Sequence, residues 1–131
     1  MEIDLPDVLA EVRAAFERYE TALVTNDVAT LCELFADDPR TIRYGIGENL
    51  HGYAQISAFR AARSSLNLMR TRSHTSITTY GRDFATASTL FKRDSAPGKI
   101  GRQMQTWVRH SQGWRVVAAH VSMIDDPEAK S

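Results

Sequence analysis

The sequence predicts an α+β domain in which three N-terminal helices pack on a strongly curved antiparallel sheet. Two observations carry this. Helical periodicity is confined to the first half of the chain, where Leu5, Val8, Leu9, Val12, Ala15, Phe16, Tyr19, Ala22 and Leu23 share one stripe. From Arg70 onward the chain breaks into long runs rich in Thr, Val, Ile and aromatic residues, separated by short polar or Gly-containing turns.

Taken in order, the first helix opens on Asp4, Pro6 and Asp7, and Thr25-Asn26-Asp27 supplies its stop and the next cap. Glu11, Arg13, Glu17, Arg18 and Glu20 mostly take its wet face. A second, short helix covers Val28–Phe35, with Cys32 as inert packing, and Asp37-Asp38-Pro39 ends it. Thr41–Tyr44 and Glu48–His51 flank Gly45-Ile46-Gly47 as a small hairpin. A third helix spans Tyr53–Ser64 on an Ile56 and Phe59 stripe. Four strands follow: Arg70–Tyr80, Phe84–Arg93, Ile100–His110 and Gly113–Met123. One domain over residues 1–125 and a flexible tail at 126–131 are expected.

The final hairpin organises the rest. With Ser111 and Gln112 as its loop and unbroken alternation, Trp107 faces Val116, Gln105 faces Ala118 and Gln103 faces His120. Helices over that face would leave Gln103, Gln105, His120 and Ser122 lining a pocket at its polar end. The opposite face, with Met104, Thr106, Val108, Val117, Ala119, Val121 and Met123, is apolar and suits a second subunit.

Composition narrows the partners. The 131 residues are 43% hydrophobic and 24% charged, as in ordinary globular domains. Sixteen basic residues balance sixteen acidic ones, without the excess of a nucleic-acid surface. No stretch is long enough for a membrane span. Glu2 and Asp4 stand where a signal peptide would be basic, and the single Cys32 suits a reducing cytoplasm. No Gly-rich phosphate loop and no Gly-x-Ser-x-Gly elbow occurs. The four histidines, His51, His74, His110 and His120, have no metal-ligand spacing.

Several side chains read two ways. Tyr19 is either a core tyrosine tethered to a backbone carbonyl or a functional hydroxyl, and pattern alone favours the first. Arg43 either meets solvent or Glu48, or grips an anion with its planar fork. Arg60 and Arg63 either snorkel at the helix end or enter the pocket, and Arg60 is the stronger case for snorkelling. His74 is a mid-strand histidine with no assigned partner. Together Tyr19, Arg43, Arg63, Gln103, Gln105, His120 and Ser122 favour an anionic or carbonyl-rich ligand. No inward carboxylate base is expected.

Ala15–Leu23 (AFERYETAL), Arg43–Leu50 (RYGIGENL), Phe59–Arg63 (FRAAR), Thr78–Asp83 (TTYGRD), Gly101–Trp107 (GRQMQTW) and Gly113–Ser122 (GWRVVAAHVS) together resemble the AtzH-like family of the NTF2-like, or SnoaL-like, superfamily. The resemblance implies a cone fold and a cofactor-free, metal-independent decarboxylase of ureide and cyanuric acid breakdown, turning 1,3-dicarboxyurea into allophanate beside an amidase partner. The family's key tyrosine and arginine match Tyr19 and Arg43, which shifts the reading of Tyr19 from core to catalysis. Arg63, Gln103, Gln105, His120 and Ser122 are then the expected substrate contacts. Two alternatives stand beside it: an amide or ureide hydrolase with His120 as base, and a non-catalytic ligand-binding subunit of an amidase.

Overall fold

The computed structural model describes residues 1–129. Helices α1 (Pro6–Val24) and α2 (Val28–Glu33) come first. Strands β1 (Ile42–Tyr44) and β2 (Asn49–His51) and helix α3 (Tyr53–Ala62) follow. Strands β3 (Thr71–Tyr80), β4 (Phe84–Lys92), β5 (Lys99–His110) and β6 (Gly113–Asp125) complete the chain. The sheet order is β2-β1-β6-β5-β4-β3. All pairings are antiparallel except β1 with β6. The α+β architecture is as the sequence predicts.

The ends of α1 follow from local chemistry. Pro6 starts it without needing an N–H, Thr25 closes it, and Asn26 turns back at φ 52°. Asp27 then caps α2 by accepting from Thr30 N at 3.2 Å. Helix α2 stops before the sequence expectation, and the cause is tertiary. Val116 N donates to Leu34 O at 2.7 Å and Ala36 N donates to Val116 O at 2.9 Å. Phe35 therefore leaves the helix and runs as a parallel bridge along Val116, where its ring is 1% exposed.

Ser111 and Gln112 do form the two-residue loop, with His110 opposite Gly113 at φ 124° and Trp107 opposite Val116. Beyond that point the register departs from the expected one. Val117 is an extra residue in β6, so Thr106 pairs with Ala118, Gln105 with Ala119 and Gln103 with Val121. Such a bulge bends the strand and reverses the facing of everything after it. Ala119 and Val121 turn inward at 8% and 6% exposure, and His120 and Ser122 turn outward. A second irregularity, between Ser73 and Ser76 of β3, includes His74 at φ 53°.

The core lies between α1, α2 and the sheet and is built around Trp107, Phe16, Phe35, Leu31 and Val116, each at most 1% exposed. In the expected tail, Asp126 N donates to Gly98 O at 2.9 Å and its carboxylate meets Lys92 Nζ at 2.9 Å. Lys130 and Ser131 lie outside the described residues. Among the described residues no helix is long and apolar enough to cross a membrane.

Candidate active site

Strand register builds the floor of the site. Arg43 pairs with Ala119, Ala119 with Gln105, Gln105 with Ala87 and Ala87 with Ile77, one row running across five strands. Ala119 lies between Arg43 and Gln105 in that row, and Ala87 lies on the far side of Gln105. Helices α1 and α3 bring Tyr19 and Arg60 over that row, both essentially without solvent exposure.

Arg60 Nη2 donates to the Tyr19 hydroxyl oxygen at 2.9 Å. The guanidinium carbon also sits 5.9 Å from the Tyr19 ring centre and 5.7 Å from that of Phe35. The hydroxyl is therefore held by a cation and not by the backbone carbonyl that the core reading expects. Burial alone would push the Tyr19 pKa up, but the charges of Arg60, Arg43 and Arg70 outweigh it and leave the phenol more acidic than an ordinary tyrosine. Burial lowers the pKa of Arg60, and Arg43 adds to that. Arg63 falls to about 10 through burial and the neighbouring charges of Arg60, Arg43 and Arg93. At about 10, Arg63 remains a cation at neutral pH.

The donors of this cluster are largely unpaired. Arg43 Nε, Arg60 Nε and Nη1, Arg63 Nε, Arg93 Nε and Gln105 Nε2 are buried without a hydrogen-bond partner. An orphaned buried donor costs about 1–3 kcal/mol, so six of them in one place point to acceptors brought by a ligand. Arg63 Nη2 makes one long bond, 3.4 Å, to Asn26 Oδ1. Arg43 Nη1 meets Glu48 Oε1 at 2.7 Å. Gln105 is oriented by Trp107 Nε1, which donates to Gln105 Oε1 at 3.1 Å and leaves the amide NH2 for the site.

A neighbouring network is complete. Glu20 accepts two bonds from Arg70 Nη2, at 2.6 and 2.7 Å, and one from Gln103 Nε2 at 3.1 Å. Arg70 Nη2 also donates to Gln103 Oε1 at 2.9 Å. Arg70 lies 4.3 Å and Arg93 5.2 Å from the Phe91 ring centre. That ring covers Gly101, where a Cβ would come within 2.1 Å of it.

The sequence-derived set thus divides. Tyr19, Arg43, Arg63 and Gln105 converge on the cluster, and Gln103 reaches it bound to Glu20 and Arg70. His120 and Ser122 do not, because the Val117 bulge turns them to the outer face. There His120 stacks edge-on with Tyr44 at 6.3 Å, and Ser122 Oγ accepts from Arg102 Nε at 3.2 Å. Arg60 does not snorkel: it follows Ile56 by four residues and shares that buried face. Glu20 is an inward carboxylate after all, four residues after Phe16 on the buried stripe. Arg60, Arg70 and Arg93 complete the site. A cleft of about 320 Å3 bounded by Cys32, Asp37, Tyr53, His110 and Arg115 lies elsewhere, and none of its side chains has a buried unpaired polar atom. Among the described residues no three metal-ligating side chains converge.

The model of the AtzH-like family matches residues 1–127. A protein of unknown function from the DUF3225 family of Pectobacterium atrosepticum is 58% identical, superposes with a TM-score of 0.91 and aligns over 94% of this chain and 95% of its own. A cystatin-like fold protein from Burkholderia xenovorans is 49% identical, with a TM-score of 0.93 over 97% and 99% of the two chains. An NTF2-like superfamily protein from Salmonella enterica, 23% identical with a TM-score of 0.73 over 92% and 94%, shares the fold. No curated protein matches. With its helices laid over a bulged sheet and a family match spanning almost its whole length, the chain belongs to the AtzH-like family and has the NTF2-like fold.

Proposed function

We propose that this protein decarboxylates an N-carboxylated urea, taking 1,3-dicarboxyurea to allophanate in the breakdown of cyanuric acid and related ureides. The observation that carries the proposal is the Tyr19–Arg60 contact inside a cluster of unpaired guanidinium donors. Because Arg60 donates to the Tyr19 oxygen, the hydroxyl proton is left for a ligand.

The substrate is a dianion. As its C–N bond breaks, the bonding pair goes to nitrogen, the carboxylate leaves as CO2, and nitrogen takes one proton. Arg43 grips one carboxylate, while Arg63 and Arg93 face the other. Gln105 donates to the urea carbonyl. Tyr19 delivers the proton to the departing nitrogen, and Arg60 and Arg43 stabilise the resulting phenolate until solvent reprotonates it. Positioned proton transfer of this kind contributes about 10²–10⁴-fold. The product retains one N-carboxylate and a free amide, the chemistry an amidase partner would consume.

The alternatives have less support. Hydrolysis requires a base for water, and His120 is on the wrong face of the sheet for that. Abstraction of a carbon-bound proton would fall to Glu20, whose oxygens are occupied by Arg70 and Gln103. A second copy of the chain is the proposed cover of the outer sheet face, where Met104 is 60% exposed beside Ala118, Tyr44 and His120. The test of function is CO2 release from freshly generated 1,3-dicarboxyurea. Acceleration over the spontaneous rate is expected; none would leave an anion-binding accessory subunit instead.

A further inference from the structure

Two carboxylates reach the arginine cluster, and they differ in how they are held. Glu20 is 4% exposed and takes bonds from two partners, Arg70 and Gln103. Glu48 has a side chain 25% exposed and holds Arg43 through a single bond, Nη1 to Oε1 at 2.7 Å. Its other oxygen takes only the Gly47 N–H, at 3.2 Å. Arg43, by contrast, is fixed: its side chain is 8% exposed and its guanidinium lies 5.2 Å from the Phe59 ring centre. Arg43 Nε stays buried and unpaired, so Glu48 satisfies only part of the guanidinium fork.

The backbone makes this contact local and exchangeable. Glu48 closes the β1–β2 turn by accepting from Gly45 N at 2.9 Å through its backbone carbonyl. Its carboxylate then folds back over Gly45, where a Cβ would stand 1.7 Å from Oε1. Only glycine admits the side chain there. Released from Arg43, Glu48 needs only a rotation at its own side-chain bonds to reach water, whereas release of Glu20 would strand a buried Arg70.

We infer that Glu48 is a built-in competitor: its carboxylate stands where a substrate carboxylate binds Arg43, and substrate displaces it. The inference rests on the anion-binding reading of the site. It makes Glu48 a specificity-determining residue, since a ligand must bring more to the cluster than Glu48 already does. A compact dicarboxylate does so, by exchanging at Arg43 and adding a second charge opposite Arg60, Arg63 and Arg93. A residue that merely held Arg43 in place would act in the opposite direction, because its loss would weaken binding.

The experiment is calorimetric titration of malonate into the wild type, Glu48→Gln and Glu48→Ala at matched ionic strength, since screening alters such affinities. Both variants should bind malonate tighter, by about tenfold, equivalent to about 1.4 kcal/mol. If the wild type binds malonate and the variants bind equally or more weakly, Glu48 is an orienting residue and the inference fails while the anion site stands. If none of the three proteins binds malonate, the inference and the anion-site reading fail together.

Discussion

Arg60→Met separates what the cluster does for the fold from what it does for a ligand. Arg60 is 0% exposed, donates one hydrogen bond to Tyr19 and lies near two aromatic rings. Its Nε and Nη1 are unpaired, and Arg43 and Arg63 carry like charge nearby. Methionine fills much of the same volume without charge. The substitution forfeits a charged hydrogen bond worth about 1.5–3 kcal/mol and two cation–π contacts at about 0.5–2 kcal/mol each. It relieves two orphaned donors at about 1–3 kcal/mol each and removes the like-charge repulsion. The two sides nearly cancel, so stability in urea should stay within about 2 kcal/mol of the wild type, in contrast to the 3–5 kcal/mol lost when a satisfied buried ion pair is broken, roughly. Activity should fall by about 10²-fold or more, because the phenolate loses its nearest cation. Malonate should raise the melting temperature of the wild type and much less that of the variant. A loss above about 3 kcal/mol, on the scale of a broken buried pair, or an unchanged turnover, would refute the view that Arg60 is held for the ligand.

Three further outcomes follow from the same geometry. Tyr19 should ionise below pH 10, measured as the tyrosinate absorbance missing from Tyr19→Phe. As a proton donor it must be neutral, so kcat/KM should fall as pH rises through that folded-state value. The folded chain binds fewer protons at Tyr19 than the unfolded chain between the two pKa values, so ionisation there favours folding at alkaline pH and contributes nothing below the folded value; a Tyr19 titrating above 10 would mean burial outweighs the guanidiniums. Glu20→Gln leaves Arg70, with a side chain 2% exposed, without its counter-charge. It should cost about 3–5 kcal/mol in urea, and a change under about 1 kcal/mol would show that the network does not depend on the charge. Met104→Lys on the outer sheet face should convert a dimer to a monomer in sedimentation, and a wild type already monomeric would dismiss the second copy as its cover.

How much was legible in the sequence depends on how local each cause is. The stripe and caps of α1 and the Ser111-Gln112 loop follow from residues within a few positions of one another, and so could be read directly. Helical spacing places Tyr19 on the inner side, and alternation along β5, which pairs with β4 without interruption, does the same for Gln103 and Gln105; Arg43, on a strand of three residues, stays open between solvent and an anion. His120 and Ser122 were misplaced because one residue, Val117, breaks the period of two without a glycine to mark it. The break was still visible: Trp114 and Val116 fit one phase, and Ala119 and Val121, with polar neighbours between, fit the other. Glu20 and Arg60 were misread by residue type. Each follows a core residue by four positions, Phe16 and Ile56, and spacing should have outweighed charge. What no spacing reveals is why charge is tolerated there: Glu20 is met by Arg70, just before β3 and fifty residues away, and Arg60 by a phenol forty-one residues away.

The most direct measurement is kcat for CO2 release from 1,3-dicarboxyurea in the wild type, Tyr19→Phe and Arg43→Ala, with each protein shown to be folded. The account predicts release above the spontaneous rate in the wild type, a kcat lower by about 10²–10⁴-fold in Tyr19→Phe, and a raised KM in Arg43→Ala. Full turnover in Tyr19→Phe would contradict it, because Tyr19 is the group to which the account assigns proton delivery.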